Sequence, residues 1–239
     1  MSARAAIVVQ ARMGSSRLPG KSLAPIAGRS LVAHVVERLA DQGELPVVLA
    51  TTTLLEDDLL CDEADRLGIA VLRGSADDVL GRYAFAASLL GVPAIIRATA
   101  DNPAVDLAAA VRTLEILQRS GADYVVDYGL PVGATVEAMR VQALVRAAAL
   151  ATDAYDREHV TPFIRRDGRS RAIDALAPTE LRRPDLRFTI DTPEDLDYMR
   201  RVYLEAGPAE RPWPLAALIA AADRVRERAE LEQTGADAR

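Results

Sequence analysis

The sequence holds a single cysteine, Cys61, which excludes an intrachain disulfide and a cysteine-rich metal centre. Aromatic residues are only 4% of the chain, and its formal net charge is −6. Nucleic-acid binding calls for a basic face or stacking rings, and the composition supplies neither. No apolar run reaches about 18 residues, the length that spans a bilayer. The N-terminus reads as a strand rather than a basic stretch followed by an apolar segment, so a secretion signal is not expected. The expectation is a soluble, cytoplasmic chain with neither membrane nor nucleic acid among its partners. No internal repeat is visible. What the chain has in quantity is material for a core. Half of its 239 residues are hydrophobic, which suits one α/β domain or one domain with a small addition.

The most informative segment follows the apolar run 5–9. Residues 10–22, QARMGSSRLPGKS, place Arg12, Arg17 and Lys21 in one turn with Gly14, Ser15, Ser16 and Gly20. Cations neutralise a polyphosphate, hydroxyls donate to it, and a Gly/Ser backbone leaves N–H groups free to do the same. The alternative is a solvated loop with scattered charge. A P-loop is excluded by spacing: Gly20-Lys21-Ser22 fits its end, but the first glycine would fall at position 15, which is Ser. Pro19 also removes an N–H from the cradle, and Pro25 and Gly28 intervene before any helical pattern.

Short apolar runs at 5–9, 46–50, 69–72 and 93–97 read as buried strands, with amphipathic stretches at 30–40, 56–67, 77–90 and 105–119 between them. Ser30 is the expected N-cap of the first helix, and acidic residues open the next two. This βαβα order predicts a mainly parallel sheet with helices on both faces. Further on, 123–127, 171–176 and 187–191 read as strands, 131–139 as an extended segment, and 141–151 and 156–166 as helices. Thr192-Pro193-Glu194 opens another helix. The expected division is a domain over 1–207 and, past a segment with three prolines, a last helix and polar tail over 208–239.

Ligands of parallel sheets bind beyond the carboxyl ends of strands. Asp101 and Asp191 follow such ends and are candidate ligands for Mg²⁺, which takes one or two carboxylates together with phosphate oxygens. An Asx-turn and a helix-capping acid are the respective alternatives. Asp195, one turn further on, is a weaker candidate. Arg73-Gly74-Ser75 lets backbone approach a flat ligand, or is an ordinary turn, and the same choice applies to Thr51 in Thr51-Thr52-Thr53. Glu137, Glu158 and His159 lie where an acceptor would bind, whereas His34 falls in an apolar stripe and reads as core.

Taken in order, QARMGSSRLPGK, ATTT, RGSADDVLGRY, ADNP, REHVTPFI and TIDTPED resemble the motifs of the cytidylyltransferases of spore-coat polysaccharide biosynthesis, relatives of the CMP-sialic acid and CMP-KDO synthetases. The resemblance runs from about residue 5 to about residue 200. It implies a three-layer, Rossmann-like nucleotide-diphospho-sugar transferase fold with a mixed, mainly parallel sheet, CTP as donor, Mg²⁺ as cofactor and pyrophosphate as product. It also implies that Arg12, Ser15, Arg17 and Lys21 hold the triphosphate, Arg73 and Ser75 the cytidine, and Asp101 and Asp191 the metal. Helices within 141–166 could form a homodimer contact, as in the related synthetases. Two motifs depart from the pattern. Ala100-Asp101-Asn102-Pro103 replaces Gly-Asp-Cys-Pro, and Thr135 stands where Gly-x-Asp-Val-Glu carries its Asp, with Glu137 kept. The expected activity is transfer of CMP to an acidic sugar of the 2-keto acid type. Another acceptor such as a phosphonate, and a non-catalytic nucleotide-binding protein on the same fold, are the alternatives.

Overall fold

The computed structural model describes residues 3–237 except positions 42, 44, 210 and 211. The chain opens with β1 (Ala6–Gln10), a small hairpin of β2 (Pro25–Ile26) and β3 (Arg29–Ser30), and α1 (Leu31–Ala40). Next come β4 (Val47–Thr52), α2 (Asp58–Leu67), β5 (Ala70–Gly74), α3 (Val79–Leu90), β6 (Ala94–Thr99) and α4 (Ala109–Ser120). The second half holds β7 (Tyr124–Tyr128), β8 (Glu137–Arg140), α5 (Val141–Leu150), α6 (Ala154–His159), α7 (Pro162–Arg166), β9 (Ala172–Leu176), α8 (Pro193–Ala206) and α9 (Leu215–Asp237).

Seven strands form one sheet in the order β5-β4-β1-β6-β8-β7-β9. Only β8 runs antiparallel to its neighbours, so the sheet is mixed and mainly parallel, as expected. β1 is central and buried on both faces, which is why it reads as a continuous apolar run. Its Ile7 and Val9 enter one core with residues of α1, α2 and α4, while Ala6 and Val8 enter the other with residues of α3 and α5. A third cluster joins Phe188 and Ile190 to α8 and to Leu218 and Ala222 of α9. From β1 the chain moves outward to β4 in one direction, and β6 lies on the other side. The carboxyl end of β1 therefore opens at a switch point, where a crevice forms.

Three expectations need correction. Residues 187–191 are not a strand of the sheet. Arg187 makes one isolated bridge to Val132, Phe188 donates to the Val132 carbonyl and Ile190 donates to that of Asp101. The backbone donors go to two separate segments, so no ladder can form. The helix expected over 156–166 is split in two, because Val160 adopts φ 70° and Pro162 starts α7 at its first turn. Proline disfavours a helical residue before it and lacks the N–H needed to continue the helix. Asp77 and Asp78 precede α3 rather than filling its first turn, with the Asp78 carboxylate capping the Gly81 N–H at 2.8 Å. The β2–β3 hairpin was not expected. Its turn has positive φ at Ala27 as well as Gly28, and alanine gives no turn signal. The last helix, expected to end near residue 231 in a polar tail, continues as α9 to Asp237, while positions 210, 211, 238 and 239 lie outside the described residues.

His34 confirms its core reading. It is 3% exposed, its Nε2 lies 2.8 Å from the Ile26 carbonyl, and its ring packs against Tyr203 and Trp213. Burial pulls its pKa from 6.5 to about 4, Arg29 and Arg38 add to this, and the Ile26 hydrogen bond opposes it. The unfolded chain thus takes up a proton near pH 6.5 that the folded chain refuses until about pH 4. Stability contributed by this neutral ring is present above that window and is lost as pH falls through it, by about 3 kcal/mol in all. Urea denaturation of His34→Gln should show a flatter dependence on pH between 5 and 6.5 than the parent chain; parallel curves would reject the assignment.

Candidate active site

The loop leaving β1 is pinned from below. The Met13 N–H donates to Asp57 Oδ1 at 2.7 Å, and Thr51, Thr52 and the Thr52 N–H all donate to Asp57 Oδ2. Asp57 is fully buried. Burial alone would raise its pKa, but the hydrogen bonds from Thr52, Met13 and Thr51 bring it below the ordinary carboxylate value. Within the loop, Ser15 and Gly20 donate to the Met13 carbonyl, closing the turn. Gly20 sits at φ 74°, a conformation that side chains resist, and it turns the chain into the short 3₁₀ segment that aims Lys21 inward. The N–H groups of Gly14, Ser16 and Arg17 have no partner among the described residues. They are the backbone donors left for an anion.

Lys21 reaches across the switch point. Its Nζ lies 2.9 Å from Asp101 Oδ2, 3.2 Å from Asp191 Oδ1 and 2.7 Å from the Ile190 carbonyl. Asp191 also pairs with Arg17 at 3.0 Å and Arg187 at 2.6 Å. Burial would push its carboxyl up, but Lys21, Arg17 and Arg187 hold it below the usual range. Asp195 does not enter this cluster as a ligand. Its Oδ2 accepts the N–H groups of Asp191 and Thr192, completing a capping box at the start of α8, and so it orients Asp191. Arg12 makes a looser pair with Glu158, at 3.5 Å.

These groups line a cleft of about 330 Å³ that also holds Ser15, Arg82, Arg97 and His159. His159 reaches the cleft from the end of α6, its ring tilted against that of Tyr155 with centroids 4.3 Å apart. A second lobe of about 290 Å³ continues past Arg97 and Thr99 to Asn102, Thr135, Glu137 and Arg165. Glu137 is engaged on both oxygens: Tyr124 at 2.5 Å and Thr161 at 2.8 Å donate to Oε1, and Arg97 pairs with Oε2. Burial would raise its pKa, but Arg97, Tyr124 and Thr161 lower it, so it stays ionised.

The structure thus gathers Arg12, Ser15, Arg17, Lys21, Asp101, Asp191 and His159 about one cleft, with Glu137 in the adjoining lobe, while Gly14 lies in the same loop but outside the cleft lining, against Glu56. Thr51 is not brought there, being buried against Asp57. Arg73 uses all three guanidinium nitrogens on the Thr52 carbonyl, Asp58 and the Leu54 carbonyl, closing the loop between β4 and α2. Arg73 and Ser75 line a side lobe next to the main cleft, with Arg82 between them and it. Asp57, Arg82 and Arg97 escaped the sequence reading. Their partners lie in other elements, and only the pairings of Asp57 with Thr51 and Thr52 and of Arg82 with the RGS motif are near in the chain.

Two carboxylates around a shared cation fit Mg²⁺, which keeps waters and uses one or two carboxylates plus phosphate oxygens. No group of three or more His, Cys, Asp and Glu capable of holding a metal occurs among the described residues, so a cage built wholly from protein is not what the donor set offers.

Clustered cations facing paired carboxylates at the switch point of a parallel sheet suit a nucleotidyltransferase. Comparison with known proteins narrows the class. The chain belongs to the cytidylyltransferase family, whose pattern it matches over residues 6–214. It is 34% identical over 212 residues to the spore coat polysaccharide biosynthesis protein SpsF of Bacillus subtilis, covering 86% of this chain and 88% of that one. It is 36% identical over 130 residues to the 3-deoxy-manno-octulosonate cytidylyltransferase of Idiomarina loihiensis, covering 46% of this chain and 49% of the other. Among solved structures, a cytidylyltransferase from Leptospira borgpetersenii serovar Hardjo-bovis superposes with a TM-score of 0.84 at 26% identity, covering 94% of this chain and 96% of that one. The protein is a cytidylyltransferase on the nucleotidyltransferase α/β fold. No helix among the described residues is long and apolar enough to cross a membrane.

Asp57 ties the phosphate loop to the sheet, so Asp57→Ala should leave four donors without an acceptor. A loss of about 3 kcal/mol in urea denaturation is expected, together with weaker binding of CTP. A variant as stable as the parent chain would refute this role.

Proposed function

We propose that the chain transfers CMP from CTP to an acidic sugar of the 2-keto acid type and releases pyrophosphate, in the biosynthesis of a polysaccharide or surface glycan. The observation that carries this reading is the meeting of Lys21, Asp101 and Asp191 at the mouth of the β1 loop. Arg12, Arg17, Lys21 and the free N–H groups of Gly14, Ser16 and Arg17 bind the triphosphate. An acceptor oxygen approaches the α-phosphorus from the lobe beside Arg97. Arg165 and Arg97 there suit a carboxylate on the acceptor, while Glu137, already engaged on both oxygens, holds Arg97 in place rather than taking a proton. Asp101 and Asp191 would hold Mg²⁺, which when bound would neutralise charge on the phosphate oxygens. Lys21 and Arg12 stabilise charge that develops as the bond to the leaving pyrophosphate breaks. Positioning therefore supplies most of the catalysis. The names of the relatives support the cytidylyl donor and the glycan setting, and the two arginines in the acceptor lobe support an acidic acceptor.

The test is pyrophosphate release from each nucleoside triphosphate against a panel of 2-keto sugar acids, neutral sugars and phosphonates. Release with CTP and a sugar acid is expected, and turnover with neutral sugars alone would defeat the acceptor assignment. Asp101→Ala should slow release roughly 100- to 1,000-fold while the fold survives. Full activity in that variant would remove Asp101 from the reaction.

A further inference from the structure

One cation in the cleft lacks a carboxylate. Arg82, on α3, is 4% exposed, yet it makes no ion pair among the described residues. Its NH1 donates to the carbonyls of Ser75 and, at 3.4 Å, Ala76. Its Nε is buried without a partner, and its NH2 makes no hydrogen bond among the described residues. Burial, with the charge of Arg12 nearby, lowers its pKa, so the protein holds this guanidinium at a cost. Room for it is reserved: a Cβ on Gly74 would stand 2.8 Å from Arg82 Cγ. A buried donor edge left unmatched beside an open cleft implies a ligand that matches it.

The unengaged edge has a definite shape. Nε–H and one N–H of NH2 point the same way, forming a fork that takes two adjacent acceptors. The triphosphate is one candidate, but two of its three cations, Arg17 and Lys21, are gathered around Asp101 and Asp191, and Arg12, which lies nearer Arg82, pairs with Glu158. Arg82 instead stands at the junction with the Arg73-Gly74-Ser75 lobe, its NH1 fixed to that loop's backbone. Buried Val79 and Ala11 line the cleft with it and offer an apolar surface to a planar ring. Cytosine presents N3 and O2 as adjacent acceptors. Uracil presents an N3–H at the same place, which would face the fork donor to donor.

Resting on the cytidylyl donor, we propose that Arg82 selects the base: its Nε and NH2 donate to N3 and O2 of cytosine, while NH1 stays on the Ser75 and Ala76 carbonyls. Arg82 is then a specificity-determining residue rather than a fourth phosphate cation.

The experiment measures binding of CTP, UTP and inorganic tripolyphosphate by calorimetry, with Mg²⁺ present, to the full chain and to Arg82→Met and Arg82→Lys. Met keeps the buried aliphatic stem. Lys keeps the charge but is a point donor that cannot form the fork. The parent chain should prefer CTP to UTP, and both variants should lose CTP affinity roughly tenfold or more, with UTP and tripolyphosphate nearly unchanged. Thermal melts show whether each variant folds, and the Lys form carries the test if the Met form does not. An unchanged ratio of CTP to UTP in a folded variant overturns the proposal. So does a loss of tripolyphosphate affinity as large as that of CTP, which would make Arg82 a phosphate ligand. A parent chain without any preference for CTP would instead overturn the cytidylyl donor on which the proposal rests.

Discussion

The arrangement of the cleft depends on one ammonium group. Lys21 Nζ meets Asp101, Asp191 and the Ile190 carbonyl, joining loops that lie 80 and 170 positions away in the chain. Two carboxylates brought this close would repel each other and would resist ionisation together. A shared cation makes their approach favourable, and Asp191 stays ionised as a result. The β1 loop, the end of β6 and the segment before α8 are thereby held to one another. That segment needs the anchor, because it has only an isolated bridge where a strand would have a ladder. On the proposed reading, the juxtaposition that Lys21 neutralises is also the one a divalent cation requires.

Around this centre lies a set of residues that do not face the reacting groups. Asp57 ties the phosphate loop to β4, Arg73 closes the loop after β4, and Asp195 aims Asp191 from the first turn of α8. Each uses a charge to satisfy several backbone donors or acceptors at once, which fixes a loop more firmly than neutral contacts do. The Arg97–Glu137 pair does the same between the two lobes, with Tyr124 and Thr161 completing the carboxylate's partners. A buried pair of this kind is costly unless fully hydrogen-bonded; Glu137 is engaged on both oxygens, while Arg97 keeps a buried Nε without a partner among the described residues.

What the sequence revealed and what it hid follow from the range of the interactions. The parallel sheet was legible because β1 is buried on both faces and reads as an apolar run, and β4 and β6 each contain three or four successive apolar residues that are mostly buried. The phosphate loop was legible because its cations and glycines are neighbours in the chain. Asp101 and Asp191 could be found because each follows an apolar segment, although only one of those segments is a strand. The false strand at 187–191 shows the limit. Phe188 and Ile190 alternate with more exposed residues as a strand does, yet they pack into the α8–α9 cluster, and the backbone partners are scattered. The single helix expected over 156–166 failed on Pro162, a local signal outweighed by the helical composition around it. Asp57 and Arg97 were invisible for another reason. Their importance lies in bonds to Met13 and Glu137, 44 and 40 positions distant, and no spacing rule in one sequence encodes these.

The charge of the cleft runs against that of the chain. The protein carries −6 overall, whereas the cleft is lined by Arg12, Arg17, Lys21, Arg82 and Arg97 against Asp101, Glu158 and Asp191. A local excess of cations inside an acidic molecule focuses its field on the cleft, which on the proposed reading favours the entry of a small polyanion. The acidic remainder repels extended polyanions that would otherwise compete for the same cations. The cleft therefore discriminates in two stages. On that reading its field admits anything small with several phosphates, which suits every nucleoside triphosphate equally. Selection among those must then come from groups that bind something other than phosphate, and such groups have to be fixed before the nucleotide arrives. On the proposed reading, a guanidinium buried on α3, held by backbone carbonyls and given room by a glycine, meets that requirement, whereas the cations of the β1 loop are engaged with Asp101, Asp191 and Glu158.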